Sequence, residues 1–204
     1  MAPPLIPRFG LEITMRKKFG QVYQFKITLM NTSPPVWRRI QVSEYFTFWD
    51  LHVAIQDSMG WLDCHLHEFK LTDPASGLNK SIGVPAKDEM YAVDMLPGWK
   101  HKISAWFTID HPRAKYMYDF GDGWKHDVLL EKIEPRQEGV RYPLCLAGKM
   151  ACPPEDCGGV WGYADICKGK SEFQSDFEDY DPAYFDPKEV EFEDSKERFK
   201  MALG

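Results

Sequence analysis

Residues 22–30 read VYQFKITLM, and this stretch decides how the chain begins to fold. Apolar and polar side chains alternate along it, with Tyr23, Phe25, Ile27 and Leu29 against Gln24, Lys26 and Thr28. Successive side chains of a β-strand leave the backbone on opposite faces, so this period of two predicts a half-buried strand.

A second strand is expected directly after the first. The segment NTSPP at residues 31–35 breaks the extended run with turn-forming residues. Its prolines lie in the loop, where a missing N–H group costs no hydrogen bond. The short β-branched segment from Val36 to Val42 then completes a predicted hairpin with the first strand.

A helix is predicted over residues 48–59. Thr47 is suited to cap it through its hydroxyl, and Asp50 suits the positive end of the helix dipole. Gly60 is placed to end the helix in a left-handed conformation. Spacings of three and four residues predict one stripe that faces the sheet, made of Phe48, Leu51, His52, Ile55 and Met59.

The next strands predict an α+β fold with a mostly antiparallel sheet. A strand from His65 to Leu71 would give the order β-β-α-β, which resembles the opening of a β-grasp domain. Further strands are predicted over Trp106–Ile109, Tyr116–Phe120 and Trp124–Ile133. The last two would form a second hairpin through the turn Gly121-Asp122-Gly123.

Other regions carry a less regular pattern. Residues 73–102 are predicted to be irregular or to hold a short strand pair around Met90–Val93. Residues 142–162 are rich in Pro, Gly and Cys, which predicts an ordered loop. Helices are expected over about Trp161–Gly169 and Pro187–Ala202, the second with proline in its first turn.

Length and charge indicate how the chain is organised. A length of 204 residues suits one domain, which we expect over residues 21–204 after an N-terminal extension at 1–20. Residues 171–204 hold eleven Asp and Glu against four Lys and Arg, so the C-terminal segment is acidic. Residues 1–42 are basic, with seven Lys and Arg against one Glu.

Cysteine usage and hydropathy bear on the compartment. Five cysteines are an odd number and too sparse for a disulfide scaffold, so reduced thiols are expected. The chain contains no run of about 18 apolar residues, and its first residues carry prolines and charges. We therefore expect a cytoplasmic protein that neither crosses nor binds a membrane.

Three linked motifs occur in order along the chain. They are Met59-Gly-Trp61 with HLHEF at 65–69, YDFGDGW at 118–124 with His126, and YPLC at 142–145 with CPPEDCGG at 152–159 and Gly162-Tyr163. In these stretches the chain resembles the plasmid pRiA4b ORF-3-like family, over about Tyr23 to Tyr163. The resemblance implies an α+β domain of prokaryotic genomes and plasmids, associated with mobile elements, and implies no chemistry.

The first motif contains two histidines, His65 and His67, with one residue between them. On a strand, residues two apart project from the same face, so both imidazoles would be able to ligate one ion. Alternatively, one histidine packs in the core while the other forms hydrogen bonds, or both face solvent.

The second motif pairs a carboxylate with an imidazole. A two-residue turn at Asp122-Gly123 would place Asp119 opposite His126, whereas a three-residue turn would place Tyr118 there. A carboxylate beside an imidazole fixes its tautomer and raises its pKa. Such a pair supports a metal, acts as a general base, or is purely structural.

The third motif carries cysteines and acids. Cys145, Cys152 and Cys157 lack the paired two-residue gaps of common zinc sites, so buried free thiols are favoured over a structural zinc. Glu155 and Asp156 follow two prolines, so they either present a carboxylate pair on a stiff turn or form a rigid capping loop.

These motifs predict one polar site, and the side chains that would converge there are candidate zinc ligands. The predicted members are His65, His67, Asp119 and His126, with Asp122 at the rim and Glu155 or Asp156 closing the site. Divalent zinc suits histidine and carboxylate ligands. No catalytic role is assigned, because no common nucleophile, phosphate or dinucleotide motif is present.

A binding module without catalysis is the alternative function. Its partner would be a nucleic acid or a protein. For a nucleic acid, Arg16-Lys17-Lys18 and Arg38-Arg39 would contact phosphates, and Trp37 would stack on bases. The net charge of −6 counts against this function unless the basic residues form a stripe on one face.

Overall fold

The computed structural model describes residues 20–85, 94–170 and 179–203. In these ranges the chain has an α+β fold with eight strands and three α-helices. The strands are β1 (Gln21–Leu29), β2 (Trp37–Ser43), β3 (His67–Thr72), β4 (Asn79–Gly83), β5 (Met95–Pro97), β6 (Arg113–Tyr118), β7 (Trp124–Pro135) and β8 (Leu144–Lys149). The helices are α1 (Phe48–Met59), α2 (Gly159–Cys167) and α3 (Ser195–Leu203), with 3-10 turns at Gly98–Lys100, Ile103–Ala105 and Pro187–Glu189.

The eight strands form one sheet in the order β5-β4-β3-β6-β7-β1-β2-β8. Only β4 and β5 pair in parallel, and the other neighbours are antiparallel. The predicted first hairpin is confirmed, since Phe25 of β1 lies opposite Ile40 of β2. The comparison with a β-grasp domain is not confirmed, and β6 and β7 lie between β1 and β3.

Helix α1 covers one face of the sheet, as the stripe of apolar residues predicts. The Thr47 side chain accepts a hydrogen bond from the Asp50 N–H, and the Asp50 carboxylate accepts one from the Thr47 N–H. Gly60 ends the helix at φ 92°, a conformation that glycine adopts without strain. Leu51 and Ile55 are fully buried in the core that α1 forms with the sheet.

Truncating this stripe is expected to destabilise the protein. Leu51→Ala should lower the free energy of unfolding by about 2–5 kcal/mol, because apolar contacts are lost and a cavity remains. Leu78→Ala is the control, since Leu78 is 61% exposed and its truncation should change stability by less than about 0.5 kcal/mol. Urea titration measures both values, and equal, near-neutral effects would contradict the packing of α1.

Helix α3, the last element of the described residues, packs against α1. The Trp49 indole N–H donates to the Ser195 carbonyl at 2.8 Å, and its ring lies 5.4 Å from that of Phe199, between centroids. Arg198 forms an ion pair with Asp57 at 2.8 Å. The acidic C-terminal segment is thus partly held on the fold through its basic and aromatic residues.

Several predicted elements differ from the structure. Trp106–Ile109 was predicted to be a strand, but Trp106 and Phe107 follow the 3-10 turn at Ile103–Ala105 and are both buried. Consecutive burial is incompatible with the alternation of a half-buried strand. Residues 73–102 contain β4 and β5, and the predicted strand pair around Met90–Val93 falls largely outside the described residues.

The C-terminal third also contains more regular structure than predicted. The loop predicted over 142–162 includes β8, which pairs with β2, and the start of α2. The helix predicted over Pro187–Ala202 is a 3-10 turn at Pro187–Glu189 followed by the separate helix α3. Among the described residues, no helix combines the length and apolarity that crossing a bilayer requires.

Arg38 is buried, whereas its neighbours in β2, Trp37 and Arg39, are only half-buried. Its side chain donates to the carbonyls of Trp37, Ser58, Lys149 and Met150 at 2.7–3.2 Å. Its guanidinium carbon lies 3.7 Å from the centre of the Phe185 ring. Arg38 therefore ties α1 to the end of β8, and the predicted phosphate contact of Arg38 is wrong.

Candidate metal centre

Three of the predicted site residues meet in one cluster. His65 Nε2 lies 3.2 Å from Asp156 Oδ1 and 3.7 Å from Asp119 Oδ2. One ligand atom from each of the three residues lies within 4.8 Å of the others. Across the described ranges, with their gaps at 86–93 and 171–178, this is the one cluster of three or more His, Cys, Asp or Glu side chains spaced for a metal. We call these three residues the metal-site cluster.

Loop conformations bring the two carboxylates to His65. Asp119 follows β6 with φ 53°, and its carboxylate accepts a hydrogen bond from the Gly121 N–H at 2.8 Å. Its own N–H donates to the Leu66 carbonyl at 3.0 Å, which joins the turn to the segment of His65. Asp156 also has a positive φ, of 53°. Aspartate tolerates this region better than most residues, because its short side chain bonds locally.

The burial of the cluster differs among its members. The Asp119 side chain is 9% exposed, that of His65 30% and that of Asp156 75%. The Nε2 atom of His65 is itself buried, and neither carboxylate oxygen lies in hydrogen-bonding geometry with it. An imidazole nitrogen beside two carboxylate oxygens, without a hydrogen bond, is a suitable donor to a cation.

Glu155 and Tyr118 support the cluster from one side. Glu155 accepts hydrogen bonds from the Leu62 N–H at 2.8 Å and from the Tyr118 hydroxyl at 3.1 Å. Burial and the Glu155 carboxylate raise the pKa of Tyr118 above its usual value, so this hydroxyl remains a donor. The ring of Tyr118 lies 5.8 Å from that of His65. These contacts orient the histidine rather than add a ligand.

Asp122 lies in the same turn as Asp119 but outside the cluster. Its carboxylate accepts a hydrogen bond from the Gly158 N–H at 3.2 Å. Its backbone carbonyl approaches Gly159 so closely that a Cβ there would lie 2.7 Å from the oxygen. Asp122 therefore connects the turn after β6 to the start of α2, which fixes the loop that carries Asp156.

His67 and His126 do not join the metal-site cluster. The strand β3 begins at His67, so His65 precedes it and the two histidines do not share a strand face. His67 is buried and its ring stacks on that of His52 at 3.4 Å. His126 is buried opposite Tyr116, and neither ring nitrogen of His126 has a hydrogen-bond partner.

Both predicted registers of the second hairpin, with Asp119 or with Tyr118 opposite His126, are wrong. Tyr116 lies opposite His126 and Tyr118 opposite Trp124, so residues 119–123 form a longer loop than the two-residue Asp-Gly turn. Asp119 ends outside the ladder as a consequence. Its carboxylate faces His65 rather than His126, which the local sequence signal of Asp122-Gly123 does not reveal.

A second polar cluster lies in the core and was not singled out from the sequence. His52 Nδ1 accepts a hydrogen bond from the Tyr116 hydroxyl at 2.8 Å, and its Nε2 donates to Asp63 at 2.7 Å. Gln56 donates to the same hydroxyl at 2.9 Å. Burial lowers the pKa of His52 well below its usual value and raises that of Asp63 to about 6. The only sequence signal is a histidine within the apolar stripe of α1.

The three cysteines of the third motif are separate from the cluster. Cys145 is buried in β8, and its thiol donates to the Ala147 carbonyl. Burial raises the pKa of Cys157 to about 12 and that of Cys152 above its usual value. Such thiols remain protonated near neutral pH, as expected for packed cysteines rather than reactive ones.

Comparison with known proteins places the chain in a family of unknown function. "Uncharacterized protein y4hQ" of Sinorhizobium fredii (strain NBRC 101917 / NGR234) is 34% identical over 153 residues, covering 75% of each chain. The crystal structure of "Protein of Unknown Function MM3350 from Methanosarcina mazei Go1" is 45% identical, with a TM-score of 0.78, and the match covers 85% of this chain and 99% of that one. The family described as "Plasmid pRiA4b ORF-3-like protein" matches residues 21–194. The chain belongs to this plasmid pRiA4b ORF-3-like family.

Proposed function

We propose that the protein binds a divalent cation at His65, Asp119 and Asp156, and that this cation is zinc. The observation that carries the proposal is the spacing of the donor atoms around His65 Nε2. Ligand atoms at zinc distances of 2.0–2.2 Å in a tetrahedron lie about 3.4 Å apart. The distances of 3.2 and 3.7 Å from His65 Nε2 to the two carboxylates bracket that value.

The ligand set favours an open site over a closed structural one. Structural zinc sites take four protein ligands, mostly cysteine and histidine, whereas catalytic sites take three and leave a position for water or substrate. The cluster offers one imidazole and two carboxylates, and Asp156 is exposed to solvent. A cation held there would polarise a bound oxygen or lower the pKa of a bound water. The plasmid in the family name supports a role in mobile elements as part of this proposal.

Calorimetric titration with zinc chloride tests the site. Wild-type protein, stripped with a chelator, should bind one equivalent. Asp119→Asn keeps an acceptor for the Gly121 N–H but removes the charge. It should weaken zinc binding at least about tenfold, because mutating a residue that only supports a metal ligand already lowers metal affinity by about that factor. His65→Gln should have an effect at least as large, because it removes the single nitrogen ligand.

Two matched variants make the result specific. Asp122→Asn removes a negative charge from the same turn, outside the cluster, and keeps an acceptor for the Gly158 N–H. Cys152→Ser removes a thiol of the third motif. Both should bind zinc as the wild type does. If zinc binds as tightly to Asp119→Asn as to the wild type, or if Cys152→Ser loses binding instead, the three residues hold an ion pair and the metal lies elsewhere.

A further inference from the structure

The face of the sheet opposite α1 carries two neighbouring rows of charged side chains. We call each row, read across the strands from paired residue to paired residue, a rung. The first rung runs Arg39, Lys26, Leu129 and Arg113, across β2, β1, β7 and β6. The second runs Trp37, Thr28, Asp127, Lys115, Lys70 and Ser81, and extends through β3 to β4.

The two rungs hold five cations, which we call the basic stripe: Lys26, Arg39, Lys70, Arg113 and Lys115. Neighbouring strands lie about 4.8 Å apart, so the second rung spans about 19 Å from β2 to β3. Of the ten residues in the two rungs, only Asp127 is acidic.

The acids near the stripe lie beneath the cations. Asp127 pairs with Arg113 and Lys115, Glu131 with Arg39, and Glu68 with Lys70. The paired carboxylates are 27%, 20% and 7% exposed, whereas the side chains of Arg113, Lys115 and Lys70 are 60–64% exposed. The layer that meets solvent is therefore positive, although the whole chain carries a net charge of −6.

Two positive charges of the stripe are neighbours across the sheet. Lys70 and Lys115 lie directly opposite each other in the β3–β6 ladder. Like charges at opposed positions destabilise a sheet. Both lysines line a cleft of about 490 Å³, whose polar lining includes Thr72, Asn79 and Ser81. Its other charged lining is Lys80, Arg113 and Asp127, and the Asp127 carboxylate is paired with Arg113 and Lys115. An anion in this cleft would offset the repulsion and meet hydroxyl and amide groups.

Trp37 adds an aromatic surface at one end of the second rung. The Lys26 ammonium lies 5.1 Å and the Arg39 guanidinium 5.4 Å from the centre of its ring. Aromatic rings with neighbouring cations are the usual surfaces on which proteins stack unpaired bases, while the cations contact the phosphates. A sheet face presents both to a nucleic-acid strand that crosses it.

We propose that the basic stripe binds single-stranded nucleic acid, whose phosphates contact Lys70, Lys115 and Arg113 and whose bases reach Trp37. The proposal goes beyond cation binding, since none of these residues belongs to the metal-site cluster. An anionic membrane surface fits less well, because within these rungs Leu129 and Trp37 are the only apolar side chains and neither is fully exposed. Membrane-surface binding draws on a broad apolar face.

Fluorescence anisotropy with a labelled oligothymidylate of about 20 nucleotides tests the stripe. Titrations between about 50 and 200 mM salt, with chelator present, give the dependence of affinity on salt. For single strands the slope of log K against log salt is about −0.7 per phosphate contact, so the three contacts of Lys70, Lys115 and Arg113 predict about −2.1. The double variant Lys70→Gln and Lys115→Gln should reduce the slope by about 1.4.

A second double variant separates the stripe from general charge. Lys196→Gln with Lys200→Gln removes the same charge from α3, where both lysines are exposed, and should leave the slope unchanged. Trp37→Ala should weaken binding about five- to 100-fold, the loss of one base stack, at an unchanged slope. Circular dichroism melts establish that each variant is folded.

Three outcomes would overturn the proposal. The first is that the oligonucleotide does not bind at about 50 mM salt. The second is that the two double variants change the slope equally. The third is that heparin, a polyanion without bases, binds as tightly as the oligonucleotide and Trp37→Ala does not weaken oligonucleotide binding. Because the titrations contain chelator, none of these outcomes bears on zinc binding. Conversely, loss of zinc binding in Asp119→Asn leaves the stripe intact.

Discussion

Arg38→Met is expected to lower the free energy of unfolding by about 3–5 kcal/mol. Methionine fills much of the volume but donates no hydrogen bond. The carbonyls of Ser58 and Met150 would then lose this donor while remaining in the interior. An unpaired buried acceptor carries the full cost of leaving water, which is about 1–3 kcal/mol for each group. Chemical denaturation with urea measures the difference.

Arg39→Met is the matched control for this substitution. Arg39 is the next residue along β2, but it points to the opposite face, is 32% exposed and pairs with Glu131. Exposed ion pairs contribute at most about 1 kcal/mol. We expect a loss of that size or less, and similar losses for the two variants would show that Arg38 does not hold α1 and β8 together.

Mild acid is expected to destabilise the protein through its buried histidines. Burial lowers the pKa of His126 to about 3, whereas an unfolded histidine titrates near 6.5. Below pH 6.5 the unfolded chain therefore binds a proton that the native protein does not bind. The contribution of neutral His126 to stability is complete above pH 6.5 and is lost at about 1.4 kcal/mol per pH unit down to about pH 3. The total from His126 is about 5 kcal/mol, and His52, whose pKa is also lowered, acts in the same direction.

The variant His126→Phe isolates this contribution. Phenylalanine removes the titrating group and keeps an aromatic ring in this buried site. Denaturation curves between about pH 5.5 and 4.5 should give a slope of stability against pH that is shallower by about 1.4 kcal/mol per unit than in the wild type. The comparison is of slopes, so a uniform loss of stability from imperfect packing does not affect it. Identical slopes would mean that His126 is protonated in the native protein.

The parts of the fold that were predicted correctly are those with strong local patterns. The alternation of β1 and the capped, striped sequence of α1 identify both elements within a residue or two. β8 was missed, because Leu144–Lys149 contains a glycine and lies in a proline- and cysteine-rich segment. Its pairing with β2 depends on residues about a hundred positions away, which no local window contains.

The candidate site was predicted only in part for the same reason. The motifs named His65, Asp119 and Asp156, which the structure brings together, but their meeting depends on two loop residues with positive φ and on the end of β6 at Tyr118. His67 and His126 occupy neighbouring motif positions and instead fill the core. A sequence shows which histidines are close to a strand, whereas burial of each depends on where the strand begins and on what packs above it.

The position of β1 in the sheet also bears on how the protein is made. Among the described strands β1 leaves the ribosome first, yet it lies between β2 and β7, and Phe25 pairs with both Ile40 and Leu130. At about 5–20 residues per second, the partner on its second edge emerges roughly 5–20 s after β1. During that interval an alternating strand with a free edge is open to pairing with any extended segment nearby, including the same strand of another nascent chain. Slower translation of the region between β2 and β7 would therefore increase aggregation of this protein without altering its folded stability.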